Sequence, residues 1–462
     1  MQFSFIRYTQ PGWLFNIRPS NDISFSSCYY HPDYLPATDE ATLLMDDSFE
    51  TETARFADLG YQLWNKGNLT WCSTDAKAKI ESMSPPSLKD EYTFLFKYWG
   101  KAWATYALIR RMISFSNPVK ELRAYTKAAS KKRILPYAHP MQREDYNSFE
   151  STLLQSEPLV AVIIPTLNRY VYLQDVLHDL EKQDYGNFEV IIVDQSAPFQ
   201  EEFYKQFNLR FTIIYQKERL LWTARNNAVR ATKADYLLFF DDDSRVEKDW
   251  ITQHITCVDY FNCDISAGVS LAKVGMKIPA NYNFFRWADQ FDSGNALVKR
   301  SLFTSIGLFD EQFNKQRMGD GEFGIRAYLN GYRSISNPLA ARIHLQVSDG
   351  GLREMGSWDG FRPKKWFAPK PIPSVVFLYK KYYPAKLYRN VVLLGIMLSN
   401  VAYKSKGNNK MLVLSIVLTV IKSPLLLIQF LRARNIANEM LRKDNGIRLL
   451  EKTTPVADEM AV

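Results

Sequence analysis

The sequence predicts an α/β protein built on a largely parallel sheet, and three observations carry that expectation. Four short apolar runs are spaced through one stretch of chain: Leu159–Ile164, Phe188–Val193, Phe211–Tyr215 and Tyr236–Phe240. The last of these, without helical spacing, reads as an interior strand covered on both faces, the first as a second buried strand, and the other two as strands beside them. Helical patterns alternate with them, with Leu173, Val176, Leu177 and Leu180 after the first run and Trp222–Thr232 before the fourth. That alternation means βαβ units with right-handed crossovers. Finally, three of the runs stop abruptly in polar residues: Thr166, Asn168 and Arg169; Asp194-Gln195-Ser196; and Asp241-Asp242-Asp243. In open α/β sheets, ligands collect outside such strand ends.

The last of these ends is the most specific. Three adjacent carboxylates repel one another unless a cation sits among them. In an extended chain Asp241 and Asp243 point to one side and Asp242 to the other. A hard divalent ion, Mg2+ or Mn2+, takes one or two such oxygens together with the phosphates of a substrate. A solvated acidic turn is the alternative. Neither GxGxxG nor GxxxxGK[ST] occurs, so a dinucleotide fold and a P-loop are both unsupported. A nucleotide lying across the strand ends would meet Pro165, Thr166, Asn168 and Arg169, then Asp194, then Asp241 and Asp242.

Length and charge organise the rest. At 462 residues, with 46% apolar and 23% charged residues, the chain is a folded protein of two or three regions. We divide it as 1–150, 158–360 and 361–462. The first region opens with strand-like segments (Phe3–Tyr8, Trp13–Ile17) and turns helical over Glu50–Trp64 and Glu91–Phe115. The aromatics of Tyr92–Tyr106 suit a core, with a sugar-binding face as the alternative, and Lys127–Pro140 reads as a linker. Residues 361–462 hold 18 Lys+Arg against 5 Asp+Glu, while the first 360 hold 40 against 44. The basicity belongs to the tail, which argues against nucleic acid as partner and for an anionic membrane surface. Four cysteines at unrelated spacings give no zinc pattern or disulfide framework, and no signal peptide is expected at the N-terminus. The expected location is cytoplasmic, peripheral on the inner face of the cell membrane.

In order along the chain, VAVIIPTLNR, FEVIIVDQS, ARNNAV and YLLFFDDDSRVEKDW resemble the nucleotide-binding half of a family 2 glycosyltransferase of the GT-A type, as found in bacterial cell-surface glycan synthesis. The second half follows as Asp292-Ser293-Gly294-Asn295-Ala296, Ile306–Glu311, Met318–Arg326 (MGDGEFGIR) and His344. The resemblance covers roughly Pro158 to Leu345. It implies an inverting, metal-dependent transfer from a nucleotide-diphosphate sugar, a UDP-sugar in the first instance, to a glycan or lipid-linked glycan hydroxyl. Asp243 would bind the metal directly and His344 would be a metal or diphosphate ligand. Asp241 would assist the metal or contact the ribose, and Asp194 would take the ribose or base edge. Arg225 is either a diphosphate contact or a surface helix arginine. Asp320 matches the catalytic base. The acid that usually precedes it is replaced by Gly319, leaving Glu322 as fallback. Gly350-Gly351 could hinge a lid, and Gly351–Trp366 could meet the acceptor or be a plain surface loop.

Two other readings remain at this stage. A nucleotidyltransferase would need a glycine-rich phosphate loop that PTLNR does not supply. A non-catalytic membrane scaffold has Gly319 as its support. In the tail, Val391–Val401 is too short to span a bilayer, and Lys422 and Pro424 interrupt Met411–Leu431. Amphipathic helices lying in the interface are therefore expected there, with packing on protein as the alternative.

Overall fold

A computed structural model of the chain describes residues 2–9, 12–28, 31, 33, 44–272, 274–289, 291–347, 360–363, 365–402 and 408–451. Gly350-Gly351 and most of Gly351–Trp366 lie outside the described residues. Two compact units form: Met1–Met141 with Gly356–Lys443, and Gln142–Met355 with Asp444–Val462. The division differs from three segments in series. The tail helices complete the core of the N-terminal helices, and residues 444–451 join the second unit.

In the first unit, helices cover Glu52–Asn65, Thr74–Ser82, Leu88–Tyr98, Lys101–Ile113 and Pro118–Ala128, beside a two-stranded ribbon of β1 (Phe25–Ser26) and β2 (Trp71–Cys72). Helices Pro373–Tyr382, Ala385–Leu398, Asn409–Ile421 and Ser423–Arg442 follow from the tail. Their apolar faces meet: Phe5, Tyr92, Leu95, Ala104 and Ala107 share one cluster with Leu394, Met397 and Leu412. Of the aromatics in Tyr92–Tyr106, Tyr92, Phe94, Phe96, Tyr98 and Tyr106 are buried, and Trp99 and Trp103 pack half-buried against the same cluster, so the stretch is core as its spacing suggested.

Two expectations for this unit are corrected. Neither strand-like opening segment is a strand: Trp13–Asn16 is a short helix, and Ser4–Tyr8 is a 3-10 turn held by the buried Glu91 carboxylate, which accepts the Ser4 and Phe5 N–H groups at 2.7 and 2.9 Å. Glu91–Phe115 is not one helix either. Gly100, at φ +80°, ends one helix and starts the next in a conformation that other residues avoid.

The second unit carries the sheet. Its strands are β3 (Val160–Thr166), β4 (Phe188–Asp194), β5 (Phe211–Tyr215), β6 (Tyr236–Phe240), β7 (Ser244–Val246), β8 (Ile265–Leu271), β9 (Arg286–Trp287), β10 (Asn295–Lys299) and β11 (Ser334–His344). The order is β5-β4-β3-β6-β10-β8-β11-β7, with β9 paired to β11. The four strands read from apolar runs are mutually parallel and form one half. Antiparallel β10 then opens a mixed half. Every residue of β3 and β6 is buried, which is why those segments carry no alternation. Residues 444–451 rejoin this unit: Leu308 N–H donates to Arg448 O and Leu450 N–H to Phe303 O, both at 2.9 Å.

Candidate active site

The site lies where β6 ends and β7 begins. Apolar packing holds Tyr236–Phe240, and the chain turns through Asp241–Asp243 before pairing antiparallel with the end of β11. That register sets His344 opposite Ser244, although about 100 residues separate them in sequence. Asp241, Asp243 and His344 consequently bring one ligand atom each within 4.8 Å of one another. His344 Nε2 lies 3.2 Å from Asp243 Oδ1. Within this turn Asp242 has partners of its own: its Oδ2 accepts from Thr166 Oγ1 and its Oδ1 from Arg169 Nη1, both at 2.9 Å, and Arg169 Nη1 also lies 3.2 Å from Asp243 Oδ2.

Arginines hold these carboxylates. Asp241 meets Arg225 Nη2 at 3.1 Å and Arg342 Nη1 at 2.7 Å. Arg342 is 3% exposed and reaches on to Asp292 at 3.0 Å, Ser244 at 3.0 Å and Ser270 at 2.8 Å. Gly294 permits that approach, since a Cβ there would stand 2.2 Å from Asp241 Oδ2 and 2.4 Å from Arg342 Nη1. Burial raises the Asp241 carboxyl, but Arg342 and Arg225 outweigh it and hold it well below the usual carboxylate range. Asp243 is likewise lowered, with His344 opposing burial. Asp242 is the exception. Burial pushes it up to about 6 despite Arg169.

Asp320 stands half-buried in the first turn of Gly319–Leu329 and accepts the Gly321 N–H at 2.7 Å. Its carboxyl is raised, by burial first and by the neighbouring Asp292 charge, against the pull of Arg225. The Gly319 departure has a steric cause. A Cβ at 319 would fall 2.3 Å from Trp222 Cε2, so the indole fills the space a side chain would need. Trp222 in turn stacks near Arg225, whose guanidinium carbon lies 5.1 Å from the ring centroid. Glu322 is withdrawn as a fallback base. It is fully buried and held by Arg326 through two hydrogen bonds of 3.0 and 2.8 Å.

Several residues expected to touch nucleotide are occupied elsewhere. Asp194 is sealed from solvent: Tyr170 and Tyr204 hydroxyls donate to Oδ2 at 2.7 Å each, and Ser196 N–H to Oδ1 at 2.8 Å. A ribose or base contact through that carboxylate is therefore corrected to a role in shaping the loop after β4. Pro165 is buried within β3, while Thr166 and Arg169 brace the acid triplet. Asn168, at φ +54°, is exposed and accepts the Ala197 N–H at 3.0 Å. The sequence reading gave no site role to Arg342, Asp292 or Trp222. Arg342 had a signal, since two residues before His344 on one strand means the same face.

Residues 161–309 match the family model described as Glycosyl transferase family 2. That match takes in about a third of the chain and coincides with the segment whose motifs resemble the same family. Among curated proteins, the chain is 32% identical over 101 residues to EpsH of Bacillus subtilis (strain 168), covering 21% of this chain and 29% of that one. It is 24% identical over 217 residues to a PGL/p-HBAD biosynthesis glycosyltransferase of Mycobacterium bovis (strain BCG / Pasteur 1173P2), covering 43% and 78%. Among solved structures, S. aureus TarS 1–349 in complex with UDP-GlcNAc aligns with a TM-score of 0.40 at 16% identity, over 63% of this chain and 93% of that one.

Proposed function

We propose that the chain is an inverting, metal-dependent glycosyltransferase that moves a sugar from a nucleotide-diphosphate donor to a hydroxyl of a glycan or lipid-linked glycan. The convergence of Asp241, Asp243 and His344 carries this reading. Two carboxylates and an imidazole suit Mg2+ or Mn2+, and a divalent ion held there supplies positive charge against a leaving diphosphate. The chain's own groups supply the rest. Among the described residues, Arg225 Nε and Trp222 Nε1 are buried donors without a hydrogen-bond partner. Such groups call for an acceptor, and substrate oxygens provide one. Asp320, raised by burial, suits a general base that takes the acceptor hydroxyl's proton. Attack opposite the leaving group inverts the anomeric centre. Because Trp222 accounts for Gly319 sterically, that substitution no longer favours a non-catalytic scaffold.

The test is a thermal-shift screen of UDP, GDP and dTDP with and without Mn2+, followed by sugar transfer from the donor it identifies. We expect a metal-dependent shift that Asp243→Ala abolishes. Asp320→Asn should keep the shift and lose at least about a hundredfold in transfer rate. The acid limb of kcat/KM should lie above the ordinary aspartate range, since the raised carboxyl must be ionised to act. No shift in folded protein would return us to the scaffold reading, and an active Asp320→Asn would remove the base assignment.

A further inference from the structure

Helices Asn409–Ile421 and Ser423–Arg442 meet at Lys422 with an 80° bend. Among the described residues no single helix is long and apolar enough to cross a membrane, though this bent pair passes by length and composition. One side of the pair is fastened to protein. Leu412 and Ile416 join the cluster that contains Tyr92, Ala104 and Met397, while Leu426 packs with Val392 and Ile396. Among the described residues the other side is exposed. Val413, Val417, Val420 and Ile421 are 61%, 47%, 69% and 70% exposed, at the spacing of one helix face, and Leu427 continues past the bend at 57%. On the second helix, Gln429 and Arg432 donate to the backbone carbonyls of Trp366 and Phe367. This fixes two more rings there, 75% and 64% exposed.

We propose that this apolar corner is the docking surface for an anionic lipid bilayer. Charge selects the occupant. From Gly360 to Asn438 there is no Asp or Glu, against fourteen Lys and Arg. Lys365, Lys410, Lys422, Arg432 and Arg434 are all exposed. A second copy of the chain would bring like charge to like charge across the contact. Acidic headgroups meet the same residues with opposite sign. The fastened side decides the mode: Ser415 and Gln429 are buried against protein, so the helices have one lipid-facing side and not a full apolar circumference. They lie on the bilayer with Val420, Ile421 and Leu427 toward the acyl chains, Trp366 and Phe367 at headgroup depth, and Lys422 and the other lysines reaching back to the headgroups. The inference stands apart from the transfer reading.

The test is flotation of the full chain with vesicles of phosphatidylcholine containing one-third phosphatidylglycerol, against phosphatidylcholine alone. We expect binding to the anionic vesicles, at least about tenfold weaker binding to the neutral ones, and release by high salt. Ile421→Ser with Leu427→Ser should weaken binding about tenfold at an unchanged melting temperature, since both side chains already face solvent. Lys410→Glu with Lys422→Glu should weaken binding to the anionic vesicles only. Asp243→Ala should bind as the native chain does, which separates this idea from the catalytic one. Equal binding to both vesicle types, indifference to the Ile421/Leu427 change, or resistance to alkaline carbonate extraction would overturn the proposal. So would self-association that the same substitutions abolish.

Discussion

Gly319 and Trp222 occupy one space between them, and that pairing is testable as a coupling. Gly319→Ala should destabilise the native background by about 1–3 kcal/mol, because a Cβ at 319 cannot fit beside the indole. In a Trp222→Ala background the same change should be close to neutral. Chemical denaturation of the four proteins measures the cycle, and simple additivity would show that the two do not share the space. The pair also marks the limit of what single residues disclose. Alternation grouped Asp241 with Asp243, and the fold gathers those two with His344, so that grouping was legible. The fate of Asp194 was not, because its two tyrosine partners come from other elements that no local pattern links to it.

At the scale of elements, buried strands announce themselves and their register does not. Tyr236–Phe240 was readable to the residue because a wholly apolar run has few other fates, and Phe211–Tyr215 was readable too, although it is a half-exposed edge strand containing Thr212. The register of β11 depends on a shift between Asn337 and Arg342, where Asn337 Oδ1 accepts the Leu339 N–H at 3.0 Å and Asn295 Nδ2 donates to Ala340 O at 2.9 Å. That irregularity, downstream of Pro338, sets where Arg342 and His344 arrive. The same Asn295 accepts from Trp250 and lies 3.2 Å from His254, whose other ring nitrogen meets Ser266 Oγ at 2.9 Å. Burial pushes the His254 ring from its ordinary 6.5 down to about 4. The unfolded chain therefore binds the extra proton first, so stability falls as pH drops from about 6.5 to about 4, by about 3 kcal/mol in total. His254→Gln should remove that slope from the difference between the two stability profiles, whatever constant cost it adds. Parallel profiles would mean that the ring takes up its proton equally readily in the folded and unfolded chain.

At the scale of the whole molecule, residues 1–141 and 356–443 make one compact unit, although the sheet-bearing segment lies between them in sequence. Composition pointed the tail towards a membrane and gave no sign that its opposite face completes a core, because clustering depends on which helices meet. Leu394→Ala should therefore cost about 2–5 kcal/mol and loosen the N-terminal helices, with faster hydrogen exchange across Leu88–Tyr98. A change confined to exchange in Ala385–Leu398 would mean that the tail folds alone.

The interleaving also sets an order of events during synthesis. Residues 1–141 leave the ribosome with Phe5, Tyr92 and Leu95 prepared for partners that are still untranslated. Residues 142–355 must be translated in between, which takes about 10–40 s at typical elongation rates. Throughout that interval the nascent N-terminal helices carry an uncovered apolar face while the sheet forms behind them. The early chain is a natural client for a chaperone, and slow translation prolongs its exposure.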